Sequence, residues 1–529
     1  MQTLGRLPLW LLAIAGALPA ASGSRLPPAS RPVARLLALA KDVGGEAEGG
    51  GNTLRRSQPL AAAETCPAAR LLVPAGVATA AVLAAVLGLA RHVRASDDAE
   101  AARTCVLLLQ FVMLMGSTIV VLDSWQLGEA LHMEPGESGQ LVGMNWLGAA
   151  LGFVLTWAAL RQRPLLWKEQ PKAICVGGLC LNTIGVFLYL LGARAVETGT
   201  TGPRMAAYMQ GVRFLGGIGQ GLFAQLMVVT VQSLSSKADM TVQMTRVFFV
   251  NTIGIGSGPV VAAGAHAVTF CPLEQSSFTI APMVQIIAGL GALIGVTALF
   301  PDISNLTLPQ EQSPLSSADD AAEQEAEEVR RRRLLIGCCS AIFMLRSLVT
   351  SGVEVGSALL LERDFDMDRR IVGFAVGATF LAAFPMRLAH QQLRQRISLA
   401  NQFRIFAGLA ALGTLLLLRP VGAMLPHGLA VLLADSVIFP CAFLADGLSY
   451  GIMMQNVFPE GSLLDKNHSA LWCNLLAFTA GRFGGPWMAR WHLEALGRAG
   501  QDRYALWQML SCVASLSLFE AGVRPGIKT

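Results

Sequence analysis

Charged residues are scarce in this chain, and the motifs that most enzymatic chemistry requires are missing. Asp, Glu, Lys and Arg make up 14% of the 529 residues, hydrophobic residues make up 53%, and the mean hydropathy is +0.52. An ordinary soluble protein has roughly 25% charged residues. The sequence contains no nucleotide-binding loop, metal-ligand cluster or hydrolase constellation. We therefore expect a membrane protein that is not an enzyme, holds no metal or other cofactor and binds no nucleic acid.

The cysteines and histidines are too dispersed to indicate a site. Most of the ten cysteines lie in apolar runs, and no spacing between them is typical of a metal site or a disulfide framework. A bridge between Cys66 and Cys271 is one alternative, but we expect unpaired thiols. The seven histidines are isolated and lie mostly at the ends of apolar runs or in connections.

The N-terminal region has the composition of a targeting segment. Residues 1–23 combine Arg6, a short apolar run and small residues, which is typical of a cleaved signal peptide. Residues 24–69 are rich in Ala, Arg, Ser and Pro, which predicts a disordered or transit-like leader. Residues 70–92 are expected to form an extra hydrophobic helix. This succession resembles the tripartite leaders of proteins imported into complex algal plastids, and the alternative is a plain anchoring helix.

Twelve further apolar runs, called spans 1 to 12, are long enough to cross a bilayer. A polar linker, residues 301–333, separates an N-terminal half, 104–300, from a C-terminal half, 334–520, and a tail, 521–529, follows. The spans are expected at 104–127, 141–160, 173–192, 205–234, 247–270, 279–300, 334–361, 371–389, 404–418, 428–452, 469–489 and 504–520.

The distribution of Lys and Arg predicts the orientation of the spans. If residue 91 is cytosolic, the cytosolic connections carry more than twice as many Lys and Arg residues as the opposite ones. We therefore expect residues 24–69 to be lumenal and the linker 301–333 to be cytosolic.

The two halves repeat each other at an offset of roughly 230 residues, as in many transporters built by duplication. Gly254-xxx-Gly258-Pro259 in span 5 recurs as Gly481-xxx-Gly485-Pro486 in span 11. The basic connection 161–172 similarly recurs at 387–396. These matches predict a duplicated six-helix unit.

Span 4 contains an arginine followed by a glycine stripe, Arg213-Phe-Leu-Gly-Gly-Ile-Gly-Gln-Gly221. An arginine at membrane depth faces a partner or a water-filled cavity, because exposure to lipid is costly. Gly217, Gly219 and Gly221 let a neighbouring helix approach closely. A plain packing face with a snorkelling arginine is the alternative.

Together these features resemble the major facilitator superfamily over roughly residues 100–520. The stretch 213–221 resembles the family's fourth-helix motif, and Gly258-Pro259 resembles a relaxed form of its fifth-helix motif. The resemblance implies an all-α, twelve-helix membrane fold in two six-helix halves, acting as a monomer on a small-molecule solute by alternating access. The basic connection 161–168 lacks the Asp of the family's usual motif, which puts that motif's gating role in doubt.

Three shorter segments, Ser138–Met144, Arg163–Leu166 and Gly211–Gly219, are more narrowly similar to the transporter domain of SPX-type vacuolar phosphate transporters. That similarity implies transport of an inorganic anion such as phosphate, possible coupling to protons, and an endomembrane or vacuolar location, with a complex-plastid membrane as the alternative. No SPX domain precedes the spans. Two other functions stay open: a proton-driven exporter of organic or drug-like compounds, and a transport-inactive receptor or scaffold.

Polar residues inside the spans are the candidate site. Guanidinium groups bind phosphate and carboxylate well, so the expected solute ligands include three arginines. The full set of expected solute ligands is Arg213, Arg346, Gln210, Gln225, Tyr450 and Arg482.

Three acidic residues are the expected proton carriers, because buried carboxyl groups beside arginines change protonation readily. Asp123 and Glu354 occupy equivalent positions of the repeat, and Asp446 shares a face of span 10 with Tyr450. The alternatives are structural: Asp123 could pair with Arg213, and Glu354 could compensate Arg346.

Overall fold

All regular elements of the described residues are helical, which confirms the all-α fold class. This computed structural model describes residues 68–236, 239–268, 278–305, 321–425, 428–459 and 461–526. Apart from helices, only an isolated bridge between Phe458 and Asp465 is present there. The expected signal peptide, nearly all of the leader, residues 306–320 of the linker, Cys66 and Cys271 lie outside these residues.

The N-terminal helix is Ala68–Ala95, and it packs against span 6, where Val86 approaches Gly295. The helices of spans 1 to 6 are Asp98–Thr118 with Val121–Ala130, Glu137–Gln162, Pro171–Glu197, Pro203–Ser233, Met240–Val268 and Ile280–Leu299. Those of spans 7 to 12 are Ala321–Leu359, Arg369–Leu381 with Ala383–Leu393, Leu399–Leu415, Leu429–Gln455, and Lys466–Leu476 leading through a π-turn into Gly484–Leu518. Short helices Leu166–Glu169 and Arg419–Gly422 lie in connections.

Eleven helices of the described part are long and apolar enough to cross a membrane. The eleven include the N-terminal helix but not spans 9 and 11. The helix of span 9 has 17 residues, which corresponds to about 26 Å of rise. We call the end of the molecule where span 1 begins the proximal end, and the opposite end the distal end. The Lys and Arg distribution predicts that the proximal end is cytosolic.

Span 1 is broken in the middle, although the sequence predicts one continuous run. The first helix ends at Thr118 and the second begins at Val121. The hydroxyl of Thr118 donates to the carbonyl of Ile255 in span 5 at 2.8 Å. The break leaves the carbonyl of Ser117 available to a partner from another span.

Span 7 begins earlier than expected, because its helix continues back to Ala321 and includes the basic part of the linker. Ion pairs three and four residues apart stabilise this exposed turn, as between Glu327 and Arg330 and between Glu328 and Arg332. The acidic and basic residues at the end of the linker therefore extend the helix of span 7 at its N-terminus.

Spans 11 and 12 are continuous in helical structure, where the sequence predicts a break. A straight helix would separate His492 from Gly500 by about 12 Å. A Cβ at Gly500 would instead overlap the carbonyl oxygen of His492, so the chain reverses there. Glycine is the residue that permits this close approach.

The repeat seen in the sequence corresponds to equivalent packing in the two halves. In span 5, a Cβ at Gly258 would overlap Thr118 of span 1. In span 11, a Cβ at Gly485 would overlap Ser351 of span 7. Each half thus has a glycine-proline helix packed closely against its first helix.

Candidate functional site

A cavity lies near the middle of the spans, between the two halves. Its volume is about 60 Å³, several times the minimum that a single water requires. Its walls come from spans 1, 2, 4 and 5 of one half and 7, 10 and 11 of the other. The polar residues that line it are Gln110, Gln220, Asn251, Ser347, Asp446, Tyr450, Asn474 and Arg482.

Arg482 is the cation that lines this cavity. It lies in the π-turn Ala477–Phe483 of span 11, and such turns occur frequently at functional sites. Its guanidinium carbon is 5.0 Å from the ring centroid of Trp146 and 5.4 Å from that of Phe443, so rings from opposite halves enclose it. Arg482 is 7% exposed, and its Nη1 has no hydrogen-bond partner in the described residues.

Glu354 is the acidic residue that forms an ion pair with Arg482. Its Oε2 lies 3.8 Å from Nη1 of Arg482, which is an ion pair but too long for a hydrogen bond. The alternative that Glu354 compensates Arg346 is therefore wrong in this conformation. Because the pair is loose, Nη1 of Arg482 keeps its capacity to bind another oxygen.

Arg346 is buried beside the cavity but does not line it. Its Nε donates to Oδ1 of Asp446 at 3.0 Å and to the carbonyl of Ala442 at 3.2 Å. Its Nη2 donates to the carbonyl of Cys441. Asp446 therefore lines the cavity with its charge already engaged, and Arg346 holds spans 7 and 10 together.

Arg213 lies outside the cavity lining and binds backbone. Its Nη2 donates at 2.8 Å to the carbonyl of Ser117, which the break in span 1 leaves free, and its Nε donates to the carbonyl of Leu141 at 3.3 Å. It also lies over the ring of Tyr189, at 5.9 Å from the centroid. Arg213 thus joins span 4 to spans 1 and 2.

The glycine stripe below Arg213 is a packing face. A Cβ at Gly217 would overlap the carbonyl oxygen of Asn145 in span 2, and one at Gly221 would overlap that of Ala149. Gly219 faces span 3 in the same way, against Gly178. These glycines do not open a path from Arg213 to the cavity, because spans 2 and 3 cover them.

The remaining expected ligands have different surroundings. Tyr450 lines the cavity and accepts a hydrogen bond from Asn474 at 3.2 Å. Gln210 lies near the distal end and donates to Gln140 at 3.4 Å, and Gln225 is buried but absent from the cavity lining. Sequence reasoning does not single out Gln220, which lines the cavity and accepts from Asn145 at 2.6 Å.

Asp123 belongs to a polar cluster that joins the two halves at the distal end. Its Oδ1 accepts from Nη1 of Arg369 in span 8 at 3.0 Å and lies 3.3 Å from Nε2 of His266 in span 5. The alternative pairing with Arg213 is therefore wrong. All three side chains are buried.

The cluster continues across the interface between the halves, and we call it the distal gate. Gln126 of span 1 donates to Glu362 of span 7 at 2.6 Å. Glu494 of span 11 accepts from the hydroxyl of Ser138 at 2.6 Å and from the backbone N–H of Gly136 at 2.7 Å. The distal gate therefore closes this end of the cavity with charged hydrogen bonds.

The proximal end is closed mainly by backbone contact. A Cβ at Gly447 of span 10 would lie 2.9 Å from the Cα of Thr245 in span 5, and one at Gly451 would lie 2.7 Å from the Cα of Thr241. The rings of Trp157 and His468 meet between spans 2 and 11, with centroids 5.3 Å apart. The two halves therefore contact each other on both sides of the cavity.

Breaking the distal gate is expected to open that end. Asp123→Asn removes the buried anion that Arg369 faces, and such a loss costs about 3–5 kcal/mol in the closed arrangement. We expect a cysteine placed at Leu127, which is buried beside the gate, to react faster with an impermeant maleimide. Glu134→Gln changes an exposed carboxylate in the connection between spans 1 and 2. It is the control and should leave labelling unchanged. Equal labelling of both variants would contradict a gating role.

The sequence also matches known proteins. The family model of the Major Facilitator Superfamily matches residues 106–462, which is more than half of the chain. No curated protein matches the chain. The crystal structure of the human organic anion transporter MFSD10 (TETRAN) is similar, with 17% sequence identity, a TM-score of 0.48, and coverage of 79% of this chain and 100% of that chain.

The family match agrees with the twelve spans, the two halves and the central cavity. The narrower similarity to vacuolar phosphate transporters stays a prediction. The chain belongs to the major facilitator superfamily, and it is a multi-pass membrane transporter of that family.

Proposed function

We propose that the chain is a proton-coupled secondary transporter that moves a small anion by alternating access. The observation that carries this proposal is Arg482, whose guanidinium lines the cavity and keeps Nη1 without a hydrogen-bond partner in the described residues. A buried donor of this kind is stabilised substantially when it forms a hydrogen bond to an anionic acceptor. The cavity also lies near mid-membrane between the halves, where such folds bind their solutes.

The charges around the cavity favour an anion over a cation. Asp446 is the acid in the lining, and it already accepts from Arg346 at 3.0 Å. An organic cation would have to displace that buried arginine, which would then lack its anionic partner. An anion needs no such displacement, since Arg482 is held only loosely by Glu354. The exporter of organic cations is therefore the weaker candidate.

Phosphate is the first solute that we propose, on the strength of the sequence resemblance and the size of the cavity. A cavity of about 60 Å³ suits an ion of a few heavy atoms. Amide and hydroxyl groups of Gln110, Gln220, Asn251, Ser347 and Asn474 also line the space and can share the oxygens of a phosphate with Arg482.

An anion with an apolar body is the second candidate, and a specific observation favours it. Arg482 is enclosed by Trp146 and Phe443, and five more aromatic rings line the cavity. Aromatic walls stabilise an apolar group attached to a carboxylate, whereas they do not replace the hydration of phosphate. The additional rings are those of Phe153, Phe248, Phe343, Tyr450 and Phe478.

Flux into proteoliposomes tests the proposal and separates its alternatives. The purified chain should take up labelled phosphate or an aromatic carboxylate such as benzoate, faster with an imposed pH gradient than without it. Uptake of a lipophilic cation with no uptake of either anion would favour the exporter. Absence of any flux and of stabilisation by every solute would favour the receptor or scaffold.

We further propose a monomer in an endomembrane or vacuolar membrane, with the complex-plastid membrane as the alternative.

A further inference from the structure

Span 8 is bent at its proximal half and leaves a wedge beside span 5. Its first helix packs closely on span 5, where a Cβ at Gly377 would overlap Val260. Pro385 lacks the N–H that would bond to the carbonyl of Leu381, so the helix breaks at Ala382. The second helix, Ala383–Leu393, contacts span 5 far less than the first one does.

Arg387 lies in this wedge with an incomplete set of partners. Its guanidinium carbon is 4.4 Å from the ring centroid of Phe249 in span 5, and the rings of Phe249 and Phe384 meet edge-on at 5.2 Å. Its Nε and Nη1 are both buried and have no hydrogen-bond partner in the described residues. A buried guanidinium with two unpaired donors is costly unless an acceptor binds there.

The surroundings of Arg387 are basic, and no acid of the described residues pairs with it. Arg246 of span 5 lies nearby, and its own partner is Glu100 at 2.9 Å. The outer side of span 8 is apolar, since Leu381 is 50% exposed and Leu388 is 53% exposed. The wedge therefore combines unpaired positive charge with a flank that faces the hydrocarbon of the bilayer.

We propose that the wedge formed by Phe249, Phe384 and Arg387 binds the headgroup phosphate of an anionic phospholipid from the leaflet at the proximal end. The phosphate accepts hydrogen bonds from Arg387, and the acyl chains lie along the apolar flank at Leu381 and Leu388. A lipid fits better than free phosphate, because the flank offers its chains an apolar surface. Charge complementarity favours an anionic over a zwitterionic headgroup.

A lipid in this position contacts both halves, because Phe249 belongs to the first half and Arg387 to the second. Its binding stabilises the arrangement in which spans 5 and 8 are together at the proximal end. The occupied wedge therefore favours the closed proximal end, through contacts that are lost when the halves separate. This role is independent of which solute the central cavity carries.

The test measures lipid binding by the full purified chain, not transport. Dioleoylphosphatidylglycerol is titrated against the chain in detergent, with dioleoylphosphatidylcholine in parallel, and bound lipid is counted by native mass spectrometry. We expect phosphatidylglycerol to bind more tightly, and Arg387→Gln to weaken that binding about tenfold. Arg394→Gln, at an exposed arginine on the same end, is the control and should change it little.

Two further arms keep the test decisive. If Arg387→Gln does not fold, Arg387→Met replaces it, since methionine fills the wedge with an unbranched side chain that carries no charge, and binding as tight as in the unmodified chain would overturn the proposal. Soluble glycerol 1-phosphate distinguishes the source of the phosphate, since its binding as tightly as the lipid would show a site for a free anion. Equal binding of both lipids by the unmodified chain would also overturn the proposal.

Discussion

Replacing Arg482 by glutamine is expected to abolish anion uptake and to weaken anion binding about 100-fold. The physical reason is that Arg482 supplies the positive charge in the lining of the cavity and a donor without a hydrogen-bond partner in the described residues. Glutamine retains a donor but removes the charge. Lysine retains the charge but loses the planar fork and its stacking between Trp146 and Phe443, so Arg482→Lys should fall in between.

Two measurements on each variant separate binding from folding. Stabilisation of the purified chain by the anion, followed as a shift in unfolding temperature, reports binding. Counterflow of labelled anion in proteoliposomes reports transport. The unfolding temperature without anion shows whether the variant is folded at all.

Arg213→Lys is the matched control for this experiment. Arg213 is also a buried arginine of the membrane interior, but it donates to the backbone carbonyls of Ser117 and Leu141. Its replacement should lower the unfolding temperature and leave anion affinity unchanged in the folded protein. If Arg213→Lys weakens anion binding and Arg482→Gln does not, the site proposed at Arg482 is wrong.

The contrast between these arginines shows how much of the fold and of the site can be predicted from the sequence. Hydropathy locates the spans, because a helix of about twenty apolar residues matches the thickness of the bilayer core. The rarity of charge inside a membrane singles out Arg213, Arg346 and Arg482 as residues that need a partner. Their partners could not be predicted, since those depend on tertiary packing. Arg213 binds at the break in span 1, and Arg346 pairs with an acid 100 residues later.

Local helix geometry is the second reason why the site could not be predicted from the sequence. The π-turn at Ala477–Phe483 carries Arg482, and a sequence pattern with helical periodicity does not reveal such a turn. His266 is isolated in the sequence, and no pattern there indicates a functional role. In the structure it contacts Asp123 at the distal gate. In both cases the neighbours that define the site come from other spans.

Glu354→Gln is expected to uncouple transport from the proton gradient. Glu354 is buried and lies 3.8 Å from Arg482, so its ionised form competes with the solute anion for the same guanidinium. When Glu354 binds a proton, Arg482 loses its counter-charge and binds the anion more tightly. Proton and anion therefore favour each other's binding, and by linkage the effect is reciprocal.

Glutamine has nearly the shape of a protonated glutamate and cannot release a proton. The unmodified chain should bind the anion more tightly as the pH falls, whereas Glu354→Gln should bind it tightly at every pH. Exchange of labelled for unlabelled anion should continue in the variant, because exchange needs no net proton movement. Accumulation of anion driven by a pH gradient should be lost.

Asp446→Asn separates this mechanism from a general loss of buried charge. Asp446 is the partner of Arg346, so its neutralisation leaves that arginine buried without an anion and should lower the unfolding temperature. Glu354→Gln should lower the unfolding temperature less than Asp446→Asn does, because the pair that it removes is longer and makes no hydrogen bond. If Glu354→Gln still accumulates anion against its gradient when a pH gradient is imposed, Glu354 is not the coupling carboxyl. Asp446 would then be the acid in the cavity lining that can carry the proton.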